Sequence, residues 1–395
     1  MFEHARALAD ELIRLRRDIH AHPELSFQET RTAALVADTL REIGGIRVRT
    51  GVGKTGVVGD LGDDDGPTIA IRADMDALPI SEAISQPYTS MNAGVMHACG
   101  HDAHTAMLLG AAHLLRERFA ADGLRGRVRF LFQPSEEMWD DEGKSGASRM
   151  IDDGVMEGVD AVIALHVDST LPIGQVTIRS GWTSAAVDDF KATILGTGGH
   201  GASPHEGTDT VFMLAAVINA LYGIKSRRID PVQPNVLSIG VVRGGDASNV
   251  IPAEISIEGT LRSYSEDVRS KLAEEVERAF GVARALGGDY RLTITRGYPA
   301  GWNDQRVAGW LEAVSREYLG EDSFDRSPAG LGAEDFAYMC QKVPGAMLML
   351  GAAIGDGVVR AHHTPIFDID ERCLPTGSAI LAETALRFLK GQVTL

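Results

Sequence analysis

Apolar residues in the first half of the chain occur in short unbroken runs, separated by longer stretches with helical periodicity. Residues 68–73, 128–133 and 160–167 are such runs, whereas apolar positions in residues 105–119 recur at the spacing of an α-helix. Unbroken apolar runs are typical of strands that are buried on both faces. The pattern therefore predicts an α/β fold in which helices flank a mixed, mostly parallel sheet.

The pattern changes near Asp188. Residues 190–195 alternate between apolar and polar side chains, as expected for a strand with one exposed face, and a glycine-rich loop follows at residues 196–201. The remaining elements are predicted as helices over 211–222 and 266–280 and as strands over 236–242, 254–261 and 290–296. The resulting order, βαββαβ, suits a ferredoxin-like α+β domain.

Beyond Pro299 the α/β pattern returns, with a helix predicted around residues 334–341, a strand over 346–351 and a terminal helix from Glu371. We therefore expect a discontinuous domain of residues 1–187 and 298–395, which begins with an amphipathic helix within the first 25 residues. Residues 188–297 are expected to form an inserted domain. With 395 residues and 44% hydrophobic content, the chain is long enough to bury two cores.

Composition restricts the kinds of partner and the cellular compartment that are expected for this protein. A formal net charge of −17 argues against nucleic acid and against anionic membrane surfaces. No apolar run approaches transmembrane length, and the first 25 residues lack the apolar centre of a secretion signal. Cysteine is scarce, with Cys99, Cys340 and Cys373 widely spaced and odd in number. A reducing, cytoplasmic compartment is therefore expected.

Candidate catalytic and metal-binding residues concentrate where predicted strands end. Taken singly, a buried cysteine, a strand-end histidine or two adjacent glutamates have ordinary structural explanations. Their coincidence changes the interpretation, because ligands of α/β sheets bind outside the carboxyl ends of the strands. Thiolate, imidazole and carboxylate together suit a first-row divalent metal, with zinc the first expectation. The residues concerned are Cys99, His101, Glu136, Glu137, His166 and His363.

Two glycine-containing segments resemble nucleotide sites only superficially. Gly53-Lys54-Thr55 lacks the glycine that a phosphate-binding loop needs five positions earlier, where Val48 stands. The loop at residues 196–201 lacks the glycine spacing of a dinucleotide-binding fingerprint. A nucleotide-dependent enzyme is therefore not expected.

Ten short motifs, in one order along the chain, resemble those of a known family. The chain is similar to the dinuclear-metal amidohydrolases of the aminoacylase and carboxypeptidase superfamily, in particular to hippurate hydrolases, bacterial N-acyl-amino-acid hydrolases and plant auxin-conjugate hydrolases. The motifs are HAHPELS from His20, RADMDALP from Arg72, MHACGHD from Met96, QPSEE from Gln133, LHV from Leu165, GHGASPH from Gly199, NVIP from Asn249, GTLR from Gly259, GAEDF from Gly332 and HTP from His363.

The resemblance implies a site for two divalent metal ions. Cys99 would bridge them, Glu137 and His363 would complete one site, and His101 and His166 would complete the other. A bridging thiolate favours zinc, but manganese also suits carboxylate and imidazole ligands, and cobalt or nickel are further candidates.

The resemblance also implies roles in catalysis and substrate binding. Glu136 would be the general base, taking the proton of the attacking water and delivering it to the departing amine. His200 would stabilise the developing oxyanion from the inserted domain of a neighbouring subunit, which predicts a homodimer. The inserted domain would then serve as a dimerisation and lid domain. A loop histidine without a role is the alternative for His200. Asn249 and Arg262 would hold the substrate carboxylate, and Gly332 would let the backbone approach the substrate.

Two features differ from those of relatives: the residue at position 74 and the length of the loop after Glu137. Asp74 stands where distant relatives have a histidine ligand, so Asp74 and Asp76 are expected to support the site without ligating metal. The acidic loop of residues 138–145 is longer than in relatives. It would either reshape the acyl pocket or lie in solvent, with Trp139 packed on its own domain.

The expected function is hydrolysis of N-acyl or N-aroyl amino acids to a carboxylic acid and a free amino acid. A carboxypeptidase or dipeptidase with the same machinery is the near alternative. A catalytically silent ligand-binding homologue is a further alternative, but it would be expected to have lost a ligand or the base, and all are present.

Overall fold

The computed structural model describes residues 1–63 and 65–395, and most of its helices lie where apolar residues recur at helical spacing. Helices α1 to α11 are, in chain order, Phe2–Ala7, Ala9–Ala21, Thr30–Ile43, His101–Asp122, Gly146–Asp152, Thr210–Arg227, Glu266–Phe280, Val282–Ala285, Gln305–Leu319, Ala337–Cys340 and Cys373–Leu389. Two predictions were wrong in detail. The amphipathic N-terminal segment forms two helices that are separated at Leu8, and the helix predicted over 334–341 is a single turn.

The strands likewise follow the short apolar runs. Strands β1 to β15 are, in chain order, Ile46–Val52, Gly56–Gly62, Thr68–Asp74, Arg127–Gln133, Ala161–Pro172, Val176–Thr177, Gly181–Ser184, Ala186–Leu195, Gly199–His200, Asn235–Arg243, Val250–Ile251, Glu254–Ser263, Asp289–Arg296, Gly301–Asn303 and Gly345–Ala353. Short 3-10 turns occupy Pro204–Glu206 and Glu321–Ser323.

By its internal contacts the chain divides into two units. The first unit comprises Met1–Gly181, Trp302–Pro328 and Tyr338–Leu395, and the second comprises Trp182–Gly301 and Ala329–Ala337. Residues 329–337 thus belong with the second unit, although they lie outside the predicted insert of residues 188–297. None of the helices in the described part of the chain combines the length and apolar character that crossing a membrane requires.

The first unit contains a seven-stranded mixed sheet in the order β1-β2-β4-β3-β5-β15-β6. Strands β4, β3, β5 and β15 run parallel, whereas β1, β2 and β6 pair antiparallel at the two sides. All seven residues of β3 are buried, as expected for a strand covered on both faces. The predicted α/β class with a mixed, largely parallel sheet is confirmed.

Helix α4 lies in the centre of the first unit. Every residue from His101 to Ala112 is buried, and the helix packs against α2, α3, α11 and β3. Small side chains allow the closest approaches: a Cβ on Gly377 of α11 would lie 2.1 Å from Met107 Sδ. Because α4 is enclosed in this way, the residues at its first turn have a fixed position beside the sheet.

The second unit has its own core beneath a four-stranded antiparallel sheet in the order β10-β12-β8-β13. Helices α6 and α7 pack on each other and on this sheet, with Phe190, Met213 and Phe280 fully buried between them. Strand order and connections are those of the ferredoxin-like arrangement. A role for this unit as a dimerisation domain or lid stays a prediction.

Candidate metal centre

The predicted ligands of the first unit come from four chain segments near the carboxyl ends of the parallel strands. Glu136 and Glu137 follow β4 after Pro134 and Ser135. His166 lies inside β5 and not at its end, but the pairing of β5 with β3 stops at Ala164, two residues earlier. Strand β5 therefore extends beyond its predicted end at residue 167. His166 nevertheless lies beyond the part of β5 that pairs with β3, near the edge of the sheet where ligands bind.

Cys99 and His101 face the same site because of the turn between them. They do not lie on an extended segment. Gly100, between them, has a left-handed conformation with φ +89°, and His101 begins α4. A Cβ at Gly100 would lie 2.3 Å from Val167 Cγ2. The turn that presents both side chains therefore depends on the absence of a side chain at Gly100.

The structure brings the five predicted ligands together. The donor atoms of Cys99, Glu137 and His363 lie within 4.8 Å of one another, with His363 Nε2 3.1 Å from Glu137 Oε1. His101 Nε2 is 4.0 Å from the same Glu137 oxygen, and Cys99 Sγ is 3.5 Å from His166 Nε2. Each of the three histidines thus lies within 4.0 Å of Cys99 Sγ or of Glu137 Oε1.

Hydrogen bonds fix the imidazole tautomers of two of these histidines. His101 Nδ1 lies 2.9 Å from the Asp76 carbonyl and 3.2 Å from its carboxylate, so it must carry the proton. His166 Nδ1 donates to the Val167 carbonyl at 2.7 Å. In the neutral form of either ring the lone pair is on Nε2, the atom that faces the cluster, as required of a metal ligand.

The electrostatics of the cluster favour an added cation. Burial disfavours the charged form of His101, yet Asp74, Asp76 and Glu137 raise its pKa to about 10. Burial and the neighbouring carboxylates Glu137 and Glu136 raise the pKa of the Cys99 thiol well above its usual range. A thiolate therefore forms at Cys99 only when positive charge is nearby.

One buried ring nitrogen supports the same conclusion. His101 Nε2 has no hydrogen-bond partner among the residues that the structure describes. A buried polar atom without a partner is costly, and a divalent cation that replaced the proton on this nitrogen would satisfy it. Sulfur, nitrogen and oxygen donors meet in this cluster, where only His363 of the five ligand candidates is exposed, and this donor set fits a first-row divalent metal.

His104 lies near the cluster but is held differently. Its Nδ1 is 2.6 Å from Asp74 Oδ1, and its Nε2 accepts a hydrogen bond from the Val167 amide at 2.9 Å. Burial lowers the pKa of His104 to about 4, so the ring is neutral at physiological pH. Since both nitrogens are occupied, His104 supports the site without offering a lone pair to it.

His362 is a site residue that sequence reasoning missed. Its Nδ1 lies 3.6 Å from Cys99 Sγ, and its Nε2 accepts from the Ser169 amide at 3.4 Å. Adjacent side chains on an extended segment point to opposite faces. His363 has φ +61°, which lets both rings of the pair approach the cluster. The doubled histidine before Thr364 was the available signal.

Asp76 holds the loop that carries the glutamates. Its two carboxylate oxygens accept the backbone amides of Glu136 at 3.0 Å and Glu137 at 3.1 Å, in addition to the contact with His101. Asp74 contacts Arg72 and His104 instead. These contacts are those of residues that orient ligands.

The acidic loop after Glu137 is fixed by ion pairs. Asp140 Oδ2 accepts hydrogen bonds from Lys54 Nζ at 2.6 Å and from Arg149 Nε at 2.7 Å, and Lys144 pairs with Asp152. The cations outside the loop hold it against the body of the first unit. Met138, at its start, is 56% exposed.

The remaining predicted site residues belong to the second unit. His200 is exposed on the short strand β9, which pairs with β11, and Asn249 is exposed immediately before β11. Arg262 is half-buried in β12, and burial lowers its pKa despite Asp189 and Asp188. The Gly332 carbonyl accepts the Ala185 amide at 2.7 Å. Their catalytic and binding roles stay predictions.

The donors come from four chain segments, and Glu136 lies beside the ligand candidate Glu137. Metal ligands next to a carboxylate that can move a proton are what a metallohydrolase needs. Residues 70–387 match the model of peptidase family M20/M25/M40. The chain belongs to this family. It is a metal-dependent hydrolase of amide or peptide bonds, and the resemblance inferred from the motifs is confirmed.

Similar proteins carry names from both expected branches. An N-acetyl-L-cysteine deacetylase of Bacillus subtilis is 41% identical over 388 residues, covering 97% of this chain and 89% of the relative. Thermostable carboxypeptidase 1 of Saccharolobus solfataricus is 41% identical over 391 residues, covering 97% and 96%. A Bacillus subtilis crystal structure, described as a dinuclear metal binding peptidase from the M20 family, is 34% identical with a TM-score of 0.82 and coverage of 98% and 99%.

Proposed function

We propose that this chain hydrolyses the amide bond of N-acyl or N-aroyl amino acids with the help of two divalent metal ions. The observation that carries the proposal is the position of Glu136. It is buried, it directly precedes the ligand candidate Glu137, and its carboxylate lies within 4.8 Å of the donor atoms of Glu137 and His101. An acid in that position can serve the same water that the ligands activate.

The donor geometry supports a shared site. Cys99 would lie between the two ions, with Glu137 and His363 on one side and His101 and His166 on the other. Bound divalent ions, with zinc or manganese the first candidates, would supply Lewis-acid activation of water and of the scissile carbonyl. A related protein of 34% identity is described as binding a dinuclear metal, which supports two ions in this chain.

Glu136 would move the proton. Its carboxylate would accept a proton from the attacking water and then donate it to the nitrogen of the departing amine. The hydrogen bonds from the Glu136 and Glu137 amides to Asp76 keep this carboxylate and the neighbouring ligand in a fixed relation. General acid–base catalysis of this kind contributes about 10²–10⁴-fold.

Recognition of the substrate would fall to the second unit. Arg262 suits the free carboxylate of the amino acid because its guanidinium binds carboxylates in a bidentate manner. Asn249 would add a hydrogen bond, Gly332 would leave room beside the backbone, and His200 would donate to the developing oxyanion. The relative named as a deacetylase of an N-acetylated amino acid supports an acyl amino acid as substrate.

Peptide hydrolysis is the second candidate, and it is favoured by the relative named as a carboxypeptidase. Both activities need a free carboxylate on the amine side of the scissile bond, so Arg262 would serve either. They differ in the group on the acyl side. A ligand-binding protein without turnover is the remaining alternative.

The test is release of free amine from hippurate, N-acetyl amino acids and dipeptides after loading with zinc or with manganese. We expect release that a chelator abolishes and that Glu136→Ala lowers by at least about 100-fold while retaining metal. Preference for dipeptides over acyl amino acids would favour the carboxypeptidase alternative. No release from the metal-loaded wild-type protein would contradict the proposed function.

We also propose a cytoplasmic homodimer formed through the second unit. Helix α6 supports this proposal, because Val211, Phe212 and Tyr222 leave between 51% and 63% of their surface exposed. Exposed apolar side chains on one helix are typical of interaction surfaces. The three cysteines are free, which suits a reducing compartment.

A further inference from the structure

A buried glutamate outside the proposed ligand set contacts the loop that carries Glu136 and Glu137. Glu29 is 0% exposed and lies at the start of α3. Its Oε1 atom accepts the backbone amides of Phe27 at 2.9 Å and Ser135 at 2.8 Å. Its Oε2 atom accepts the hydroxyl of Thr55.

Both residues whose amides Glu29 accepts have an unfavourable backbone conformation. Phe27 has φ +60° and Ser135 has φ +45°, in the left-handed region that residues with a Cβ rarely adopt. Such a conformation costs of order 1–3 kcal/mol and persists only where the surroundings enforce it. The carboxylate of Glu29 is one such constraint on Ser135.

Three consecutive amides of the loop are held by two carboxylates. Glu29 takes the Ser135 amide, and Asp76 takes the amides of Glu136 and Glu137. The loop is also fixed from the other side, because the Gly146 amide donates to the Ser135 carbonyl at 2.9 Å. A rotation of the Ser135 peptide would therefore change the direction of both glutamate side chains.

Burying an acid at this place is unfavourable in itself. Burial and the neighbouring carboxylate of Asp76 raise the pKa of Glu29 to about 7, against the hydrogen bonds that lower it. An apolar residue would avoid this cost but would leave the Ser135 and Phe27 amides without their acceptor. Glu29 therefore contributes a hydrogen-bond acceptor for the Ser135 and Phe27 amides.

We propose that Glu29 is a positioning residue, which fixes the peptide of Ser135 and thereby directs Glu136 and Glu137 at the metal centre. The inference rests on the proposed function for the roles of those two glutamates. Residues that orient metal ligands typically contribute about 10–100-fold to metal affinity or activity.

The alternative is that Glu29 only stabilises the beginning of α3, and Glu24 provides the matched control. Glu24 accepts the amides of Arg31 at 2.9 Å and Thr32 at 2.8 Å and the hydroxyl of Thr30, all in the first turn of α3. Its carboxylate therefore supports the same helix without holding the loop at Ser135.

The hydrogen bonds predict which substitution restores function. A glutamine at position 29 keeps an Oε1 for the two amides, and its NH₂ group can donate to the Thr55 hydroxyl oxygen. Glu29→Gln should therefore preserve the loop, whereas Glu29→Ala should release it.

The experiment compares Glu29→Ala, Glu29→Gln and Glu24→Ala in the full chain. Two quantities are measured: zinc affinity by competition with a chromophoric chelator, and kcat and KM for the best substrate. We expect Glu29→Ala to lose about 10–100-fold in zinc affinity or kcat, with KM within about threefold. Glu29→Gln and Glu24→Ala should stay within about threefold of wild type in zinc affinity and kcat.

Three results would overturn the inference. These are unchanged zinc affinity and kcat in Glu29→Ala, an equal loss in Glu24→Ala, or a loss in Glu29→Gln as large as in Glu29→Ala. If Glu29→Ala does not fold, the Glu29→Gln and Glu24→Ala results still decide, since a loss in either contradicts the argument. Absence of turnover in wild type would contradict the proposed function instead, and zinc affinity would still test Glu29.

Discussion

At the scale of single residues, hydrogen bonding distinguishes the histidines of the centre better than distance does. His101, His104 and His166 have donor atoms within 4.8 Å of one another. His101 and His166 donate through Nδ1 and leave Nε2 facing the cluster, whereas His104 uses both nitrogens within the protein. The three residues should therefore respond differently to substitution.

We expect His104→Gln to retain bound metal but to lose about 1–3 kcal/mol of stability, because Asp74 and the Val167 amide lose a well-placed partner. His101→Gln should instead lose metal affinity. Metal content by mass spectrometry and urea unfolding of both variants provide the comparison. Loss of metal from His104→Gln at unchanged stability would show that His104 is a ligand.

Glu29 predicts a pH dependence of stability. Its pKa is raised to about 7 in the folded state. At pH values between the ordinary pKa of a glutamate and about 7, Glu29 is therefore protonated in the folded state and ionised in the unfolded state. Stability from this group therefore falls as pH rises through that range. We compare the free energy of unfolding of Glu29→Gln with that of wild type by urea unfolding. The difference, variant minus wild type, should be larger at pH 8 than at pH 5. A difference that does not change with pH would contradict the raised pKa.

The sequence made much of the centre predictable at this scale, because Cys99, His101 and the paired glutamates are short-range motifs. It did not indicate which of several histidines would offer a lone pair, since that depends on distant partners such as Asp76 and Val167. Nor did it indicate Glu29, whose contact with Ser135 joins residues 106 positions apart. Such contacts are set by the fold and not by local spacing.

At the scale of elements, the turn between Cys99 and α4 leaves no room for a side chain at Gly100. Gly100 combines φ +89° with a Cβ position 2.3 Å from Val167 Cγ2. Gly94, on the same connection, has φ +80°, but its Cβ would meet nothing within 4 Å. Comparing substitutions at Gly100 and Gly94 therefore distinguishes the cost of backbone strain from the cost of steric overlap.

We expect Gly100→Ala to destabilise the protein by about 2–4 kcal/mol, combining left-handed strain with overpacking against β5. Gly94→Ala should cost only about 1 kcal/mol, from strain alone. Urea unfolding measures both, and metal affinity should fall in Gly100→Ala because Val167 adjoins His166. Equal losses in the two variants would argue against the steric contribution.

Helices and strands were predictable where burial imposes a strict period. Strand β3 and helix α7 lie within one residue of their expected bounds. The N-terminal segment and residues 334–341 were harder, because their apolar spacing does not mark the interruption at Leu8 or the end of a single turn. Local pattern constrains such short elements weakly.

At the scale of the whole molecule, α6 is the surface on which the proposed dimer depends. Phe212 is 63% exposed there, and Met91 in the first unit is 73% exposed without belonging to α6. We expect Phe212→Glu to convert the protein to a monomer, whereas Met91→Glu should leave the dimer intact. Light scattering after size exclusion reports the mass. A monomeric wild-type protein, or a dimer unaffected by Phe212→Glu, would contradict association through α6.

Catalysis and assembly are linked if His200 acts in the active site of the neighbouring subunit. His200→Ala and Glu136→Ala should each be inactive as homodimers. In a mixed dimer, however, the subunit with intact Glu136 would receive His200 from its partner. Random exchange makes about half of the dimers mixed, each with one complete site, so activity should recover to roughly a quarter of wild type.

If His200 served its own subunit, mixing would restore nothing, because neither subunit would have both groups. Amine release before and after subunit exchange distinguishes the two cases.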